Sequence, residues 1–164
     1  DSSEQLAIQV PPGVVSGQKL RVRGRGNGGY GTGKPGDLMV LVNIQEHPLF
    51  RRRGRDLFCD VPLRWTTASL GGEVEVPVLD GRTKIRIPAG TQSGRVFKLS
   101  RRGLPGKGNA ARGDLHLRML VETPKDLSDS DRKLIEELEA RISMQSHPLR
   151  EHFEGEVKKR GPSP

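Results

Sequence analysis

The sequence predicts a mainly β fold in which a duplicated, strand-rich module is followed by one C-terminal helix. Three observations carry that expectation. The phrase IQVPPGVVSGQKLRVRGRGNGGYGTGKPGDL at 8–38 returns at 85–115 as IRIPAGTQSGRVFKLSRRGLPGKGNAARGDL, 77 residues on and without a gap, with 12 of 31 positions identical. Two copies make a duplicated module and not a solenoid. Between and beyond the copies, apolar residues alternate with polar ones at the period of a half-buried strand, with Gly and Pro clustered at the turns. Helical spacing is convincing only after Pro124.

Taken in order, Leu6, Ile8 and Val10 alternate with Ala7 and Gln9 as a first strand, which Pro11-Pro12-Gly13 ends. Leu20 and Val22 mark a second strand. Residues 24–36 read as a flexible turn or loop, and Asp37 to Ile44 as a third strand. Residues 45–56, QEHPLFRRRGRD, break the pattern and read as a linker. Leu57, Cys59, Val61, Leu63 and Trp65 form the next strand, where Pro62 suggests a sheet edge. Thr66 to Leu70 suits one helical turn. Val74, Val76 and Val78 lead to a hairpin signal at Asp80-Gly81 and a return strand over Thr83 to Ile87. Phe97 and Leu99 point inward, and Leu115, Leu117, Met119 and Val121 close the module.

The helix begins at Ser128, an N-cap with Asp131 three residues on. Leu134, Ile135, Leu138 and Ile142 form its apolar stripe, and Lys133/Glu137 and Glu137/Arg141 are neighbours on its polar side. Past Ser143 the apolar pattern fades, so residues 143–164 are expected to be a flexible tail.

Composition narrows the function. The net charge of +8 fits a nucleic-acid or acidic-tail partner, but equally solvated strand faces. Aromatics are only 4% of the chain, too few for base stacking, which makes nucleic acid the lesser reading. The single Cys59 excludes an internal disulfide and a cysteine-based zinc site. No apolar run approaches the roughly 20 residues that cross a bilayer, so no membrane role is expected. The opening DSSEQLAIQV carries acids where a signal peptide has a basic region and reads as the cut end of a longer chain. A cytoplasmic location follows as an expectation.

No catalytic, metal or cofactor site emerges. GRGNGG at 24–29 matches a dinucleotide fingerprint on paper, but a strand follows it where a helix should open. Gly106-Lys107-Gly108 lacks the first Gly and the Ser/Thr of a phosphate loop. His47, His116, His147 and His152 have no partner Cys and no metal-ligand spacing. Phe50 is an apolar residue in a basic linker: either a plug packing the joint between modules or one wall of an apolar peptide groove. Leu6 carries the same two readings. The stripe of the last helix can pack on its own sheet or on a second copy of itself.

Together these phrases resemble the C-terminal substrate-binding region of the DnaJ family of co-chaperones. The match lies in VPPGVVSGQKLRVRGRG with GDL (10–38), HPLFRRRGRDL (47–57) and ASLGGEVEVPVLDG (68–81). It continues through IPAGTQSG (87–94), RGLP (102–105), GDLHLRMLVETP (113–124) and LSDSDRKLIEEL (127–138). One departure is Arg101, where the family usually has Gly, so that turn is expected to be shaped differently.

The resemblance implies two tandem β-sandwich or barrel-like modules, the first incomplete, followed by a C-terminal helix. It divides the chain into the second half of the first module (1–46), a linker (47–56), the second module (57–124), a dimerisation helix (125–142) and the tail. It implies a non-enzymatic module that binds unfolded polypeptides for a DnaK-type chaperone, as a homodimer and with no cofactor. Leu6 and Phe50 would bind peptide, and Leu134, Leu138 and Ile142 would hold the dimer. Neither His-Pro pair (47–48, 147–148) is followed by the Asp of a J domain. No ATPase stimulation by this chain alone is therefore expected.

Overall fold

The computed structural model describes residues 5–28 and 33–160, so residues 29–32 of the expected loop and 161–164 of the expected tail lie outside the described residues. The chain forms two compact units, 1–123 and 124–164. The first holds β1 (Lys19–Val22), β2 (Leu38–Leu41), β3 (Arg51–Arg53), β4 (Asp56–Arg64), α1 (Trp65–Leu70), β5 (Gly72–Val78), β6 (Gly81–Ile87), β7 (Val96–Leu99) and β8 (Leu115–Glu122).

The core runs from Phe50 to Met119, a stretch that contains the second copy of the repeat. There β3-β4-β8-β7 form a four-stranded sheet, and β5 and β6 form a separate antiparallel ribbon. Leu57, Cys59, Val61 and Leu63 face inward from β4, and Leu115, Leu117 and Met119 from β8. Val76, Val78 and Ile87 of the ribbon and Ala68 of α1 join the same cluster. The alternation in the sequence becomes alternation of burial because successive side chains leave a strand on opposite faces. The described sheets do not close into a barrel.

In the first copy, β1 and β2 pair antiparallel with Leu20 opposite Val40, as β7 and β8 pair in the second with Phe97 opposite Leu117. The duplication extends to single hydrogen bonds. Gly17 N–H donates to the Val42 carbonyl at 2.8 Å, and Gly94 N–H to Met119 at 2.7 Å. Gly26 N–H donates to Gly36 at 2.7 Å, and Gly103 N–H to Gly113 at 2.8 Å. Ser16 and Ser93 hydroxyls accept the N–H of Ile44 and Val121 at 3.2 and 3.1 Å. The repeated Gly26 and Gly103 are explained by close backbone approach. A Cβ would lie 2.6 Å from the Asp37 carbonyl oxygen in one and 2.6 Å from that of Arg55 in the other.

Several expectations are corrected. Residues 5–10 form no strand: Leu6 and Ile8 are half-buried in alternation, but no described strand pairs with them. The expected linker contains β3, which returns antiparallel on the start of β4 through Gly54, and Phe50 before it is buried in the core. β4 is an interior strand, paired with β3 on one side and parallel to β8 on the other. β3 covers only Asp56 to Phe58, so at Pro62 that side of β4 is open and the missing N–H costs no bond. The hairpin turn falls one residue earlier than expected, because Val78 pairs with Gly81 and leaves Leu79-Asp80 as the connection. Arg101 takes φ +58°, beside +67° for Gly24 at the equivalent position, so the turn keeps its shape despite the side chain.

The second unit holds α2 (Asp129–Arg141), a 3-10 turn (Met144–Ser146) and α3 (Pro148–Lys158). Ser128 caps α2 as expected, its hydroxyl accepting the Asp131 N–H at 3.1 Å, with Asp129 and Asp131 in the first turn and Arg141 in the last. The expected flexible tail over 143–164 is corrected: it carries the 3-10 turn and a helix. α3 forms there with Pro148 in its first turn and an Arg150–Glu154 pair at 2.6 Å along one side.

Candidate functional site

A cleft of about 550 Å³ opens in the first unit, where the chain passes from the first copy of the repeat to the second. Ile44, Phe50, Leu57, Leu79 and Leu104 supply its apolar walls, with His47 at its rim. Five separate segments converge there: the chain after β2, the turn before β3, the start of β4, the ribbon tip and the loop after β7. Phe50 is only 9% exposed, whereas Ile44 and Leu79 are 41% and 38% exposed. Phe50 therefore makes the floor, and the other two offer surface that a ligand could cover.

The turn that aims Phe50 inward is held by His47. Its Nδ1 accepts the N–H of Leu49 at 3.1 Å and of Phe50 at 3.3 Å, and the two rings lie 5.0 Å apart. The Phe50 side chain thus packs in the core and also lines the cleft.

Leu6 is half-buried and is not among the residues lining this cleft. A second cleft of about 590 Å³ runs along Ala7 to Pro12 and Leu20 to Arg23. The two expected peptide-binding residues are therefore not brought into one groove. Ile44, Leu79 and Leu104 were missed in the sequence. Leu79, an apolar residue directly before a hairpin turn, was the available signal.

The arginine run at 51–55 mostly binds its own chain. Arg52 donates to the carbonyls of Val14 at 2.7 Å, Gly13 at 3.4 Å and Gly54 at 2.9 Å, tying the first copy's loop to β3. Arg55 donates to the Ala111 carbonyl. Arg51 and Arg118 converge on Asp60, each at 2.8 Å, and the Arg118 bond holds the Asp60 carboxyl below the usual aspartate range. Within this run Arg51 meets a carboxylate, whereas Arg52 and Arg55 are held by neutral carbonyls.

Among the described residues, no group of three or more His, Cys, Asp or Glu could hold a metal ion. Burial pushes the Cys59 thiol up, the opposite of what a thiolate nucleophile needs. No described helix is long and apolar enough to cross a membrane.

In the second unit, Leu134, Leu138 and Ile142 recur every four residues along α2 and its end and are 63%, 40% and 40% exposed. Leu149, Phe153 and Val157 repeat the same spacing on α3, at 77%, 58% and 49%. That second stripe, also missed, was visible as an i, i+4, i+8 pattern.

The model of the family described as DnaJ C terminal domain matches residues 1–124. A protein named "Chaperone protein DnaJ" from Nitrosomonas europaea is 43% identical over 135 residues, which are 82% of this chain and 37% of that protein. Another of the same name, from Opitutus terrae, is 42% identical over 156 residues, 94% of this chain and 41% of that protein. The chain thus spans about two fifths of the length of these relatives.

Proposed function

The chain belongs to the DnaJ C-terminal domain family, and on that premise we propose that it binds unfolded polypeptides and holds them for a DnaK-type chaperone, without chemistry of its own. One observation carries this reading: the cleft at the joint is walled by Ile44, Leu57, Leu79 and Leu104 over a Phe50 floor. It lies directly beyond β2, whose one described partner is β1. An extended client segment can seat alternate apolar side chains in such a cleft while its backbone pairs with a strand edge. That mode reads no particular sequence, which suits a binder of non-native chains.

In this reading α2 joins two copies through Leu134, Leu138 and Ile142. Two weak sites on one particle then gain by effective concentration, with no new contact at either. The cytoplasm, where DnaK-type partners work, is the proposed location.

Suppression of aggregation of a reduced, unfolded model protein tests the proposal. The full chain should suppress it. The double variant Ile44→Ser/Leu79→Ser should need about tenfold more protein for the same effect, from two partly lost apolar contacts. A dimer that leaves aggregation unchanged would leave α2 with its role and the cleft with none.

A further inference from the structure

On the outer face of the four-stranded sheet lies a second, basic site that the client-binding reading does not use. Its platform is Phe58 of β4, which stacks on His116 of β8 at 4.7 Å and 11°. The Arg53 guanidinium lies over the same ring, 5.5 Å from its centroid. Arg51, Arg118 and Asp60 complete a groove of about 480 Å³. Asp60 is already shared by Arg51 and Arg118. Arg53, which lies over Phe58, has no carboxylate partner among the described residues and is exposed.

The backbone beside these arginines is also open. β3 ends the sheet, pairs only with β4, and all three of its residues are exposed. Arg51 lies opposite Phe58 and Arg53 opposite Asp56, so both arginines stand on the outer face, two residues apart. A strand added to this edge would carry its own alternate side chains past them. Edge arginines repel a basic strand and give an apolar one nothing, so they select by charge.

We propose that the β3 edge and the Arg51–Arg53–Phe58 face form a docking site for an acidic extended peptide with carboxylates at alternate positions. One carboxylate pairs with Arg53 and the other with the spare donors of Arg51. A nucleic acid suits the site less well, because a phosphate backbone wants a row of cations and here Asp60 stands between Arg51 and Arg118. The site stands independently of the apolar cleft.

The test is fluorescence anisotropy of the full chain with a labelled eight-residue peptide of alternating Glu and Thr. The same peptide with Gln for Glu and a single-stranded DNA 20-mer serve as competitors. The Glu peptide should bind at least about tenfold more tightly than the Gln peptide, the difference expected of charge-assisted hydrogen bonds. Arg53→Glu should abolish binding and Arg53→Gln weaken it, while Ile44→Ser/Leu79→Ser leaves it unchanged. No binding of the Glu peptide, equal binding of the Gln peptide, tighter binding of the DNA, or indifference to both Arg53 variants would each overturn the proposal. Loss only in the Ile44/Leu79 variant would do the same by assigning the peptide to the apolar cleft.

Discussion

The Asp114 carboxylate accepts the backbone N–H of Arg101 at 2.9 Å, and 77 residues earlier Asp37 accepts that of Gly24 at the same distance. Each closes the turn that leaves the first strand of its copy, and each also pairs with a cation on that strand, Lys98 or Arg21. The Gly-Asp-Leu triplet is therefore a turn lock followed by the first inward residue of the next strand. The backbone N–H is the main cause holding both carboxyls below the usual aspartate range, reinforced by Arg21 for Asp37 and by Lys98 for Asp114.

Those lowered values predict an acid-sensitive fold. A depressed native value means stability that is complete above the ordinary aspartate value of 3.8 and lost as pH falls below it. Thermal midpoints at pH 6 and pH 3 should differ, and Asp37→Asn/Asp114→Asn should narrow the gap. An unchanged gap would remove the two aspartates from the explanation.

Arg101 holds a left-handed backbone conformation at φ +58° without being glycine. Arg101→Gly should therefore stabilise the first unit by about 1 kcal/mol, read from the urea midpoint at constant slope. Destabilisation would mean that the side chain makes a contribution larger than the backbone strain.

Phe50 is core as well as cleft floor, so truncating it does not test binding alone. Phe50→Ala should cost about 3 kcal/mol of stability. Ile44→Ser and Leu79→Ser, at partly exposed positions, should each cost no more than about 1 kcal/mol. Chemical denaturation of the three variants checks the ranking, which decides which of them can be used in client assays.

Arg52 reaches three carbonyls, two of them in the Gly13-Val14 loop of the first copy. Arg52→Ala should raise hydrogen exchange at residues 13–18 while leaving β4 and β8 protected. Uniform loosening of both would show that Arg52 supports the second copy's core instead.

These particulars also show what a sequence can carry. Alternation announced β4 and β8 because a buried face imposes a period of two on any strand, whatever its partner. It gave no hint that they run parallel, since register between residues 57 and 115 leaves no local mark. Leu6, Ile8 and Val10 alternate just as well, yet form no strand, because alternation describes one face and says nothing of the backbone partner. Phe50 was half legible: its apolar side chain stood out among arginines, but the segments that join it in the cleft arrive from residues 44, 57, 79 and 104. The arginine run suggested a polyanion because a sequence shows charges without the carbonyls and carboxylate to which they are hydrogen-bonded. α3 was overlooked although Leu149, Phe153 and Val157 keep helical spacing, since the charged residues between them dilute the stripe.

The exposed stripe on α2 predicts self-association. Leu138→Asp places a charge among three apolar side chains and should halve the mass measured by light scattering. An unchanged mass would move the interface elsewhere or leave the chain monomeric.

The most direct test of the apolar cleft is binding of the full chain to a reduced, unfolded model protein, with mass followed by light scattering. The wild type should bind as a dimer. Ile44→Ser/Leu79→Ser should remain a folded dimer and bind about tenfold more weakly. Undiminished binding in that variant would contradict the assignment of the client site to the joint between the two copies.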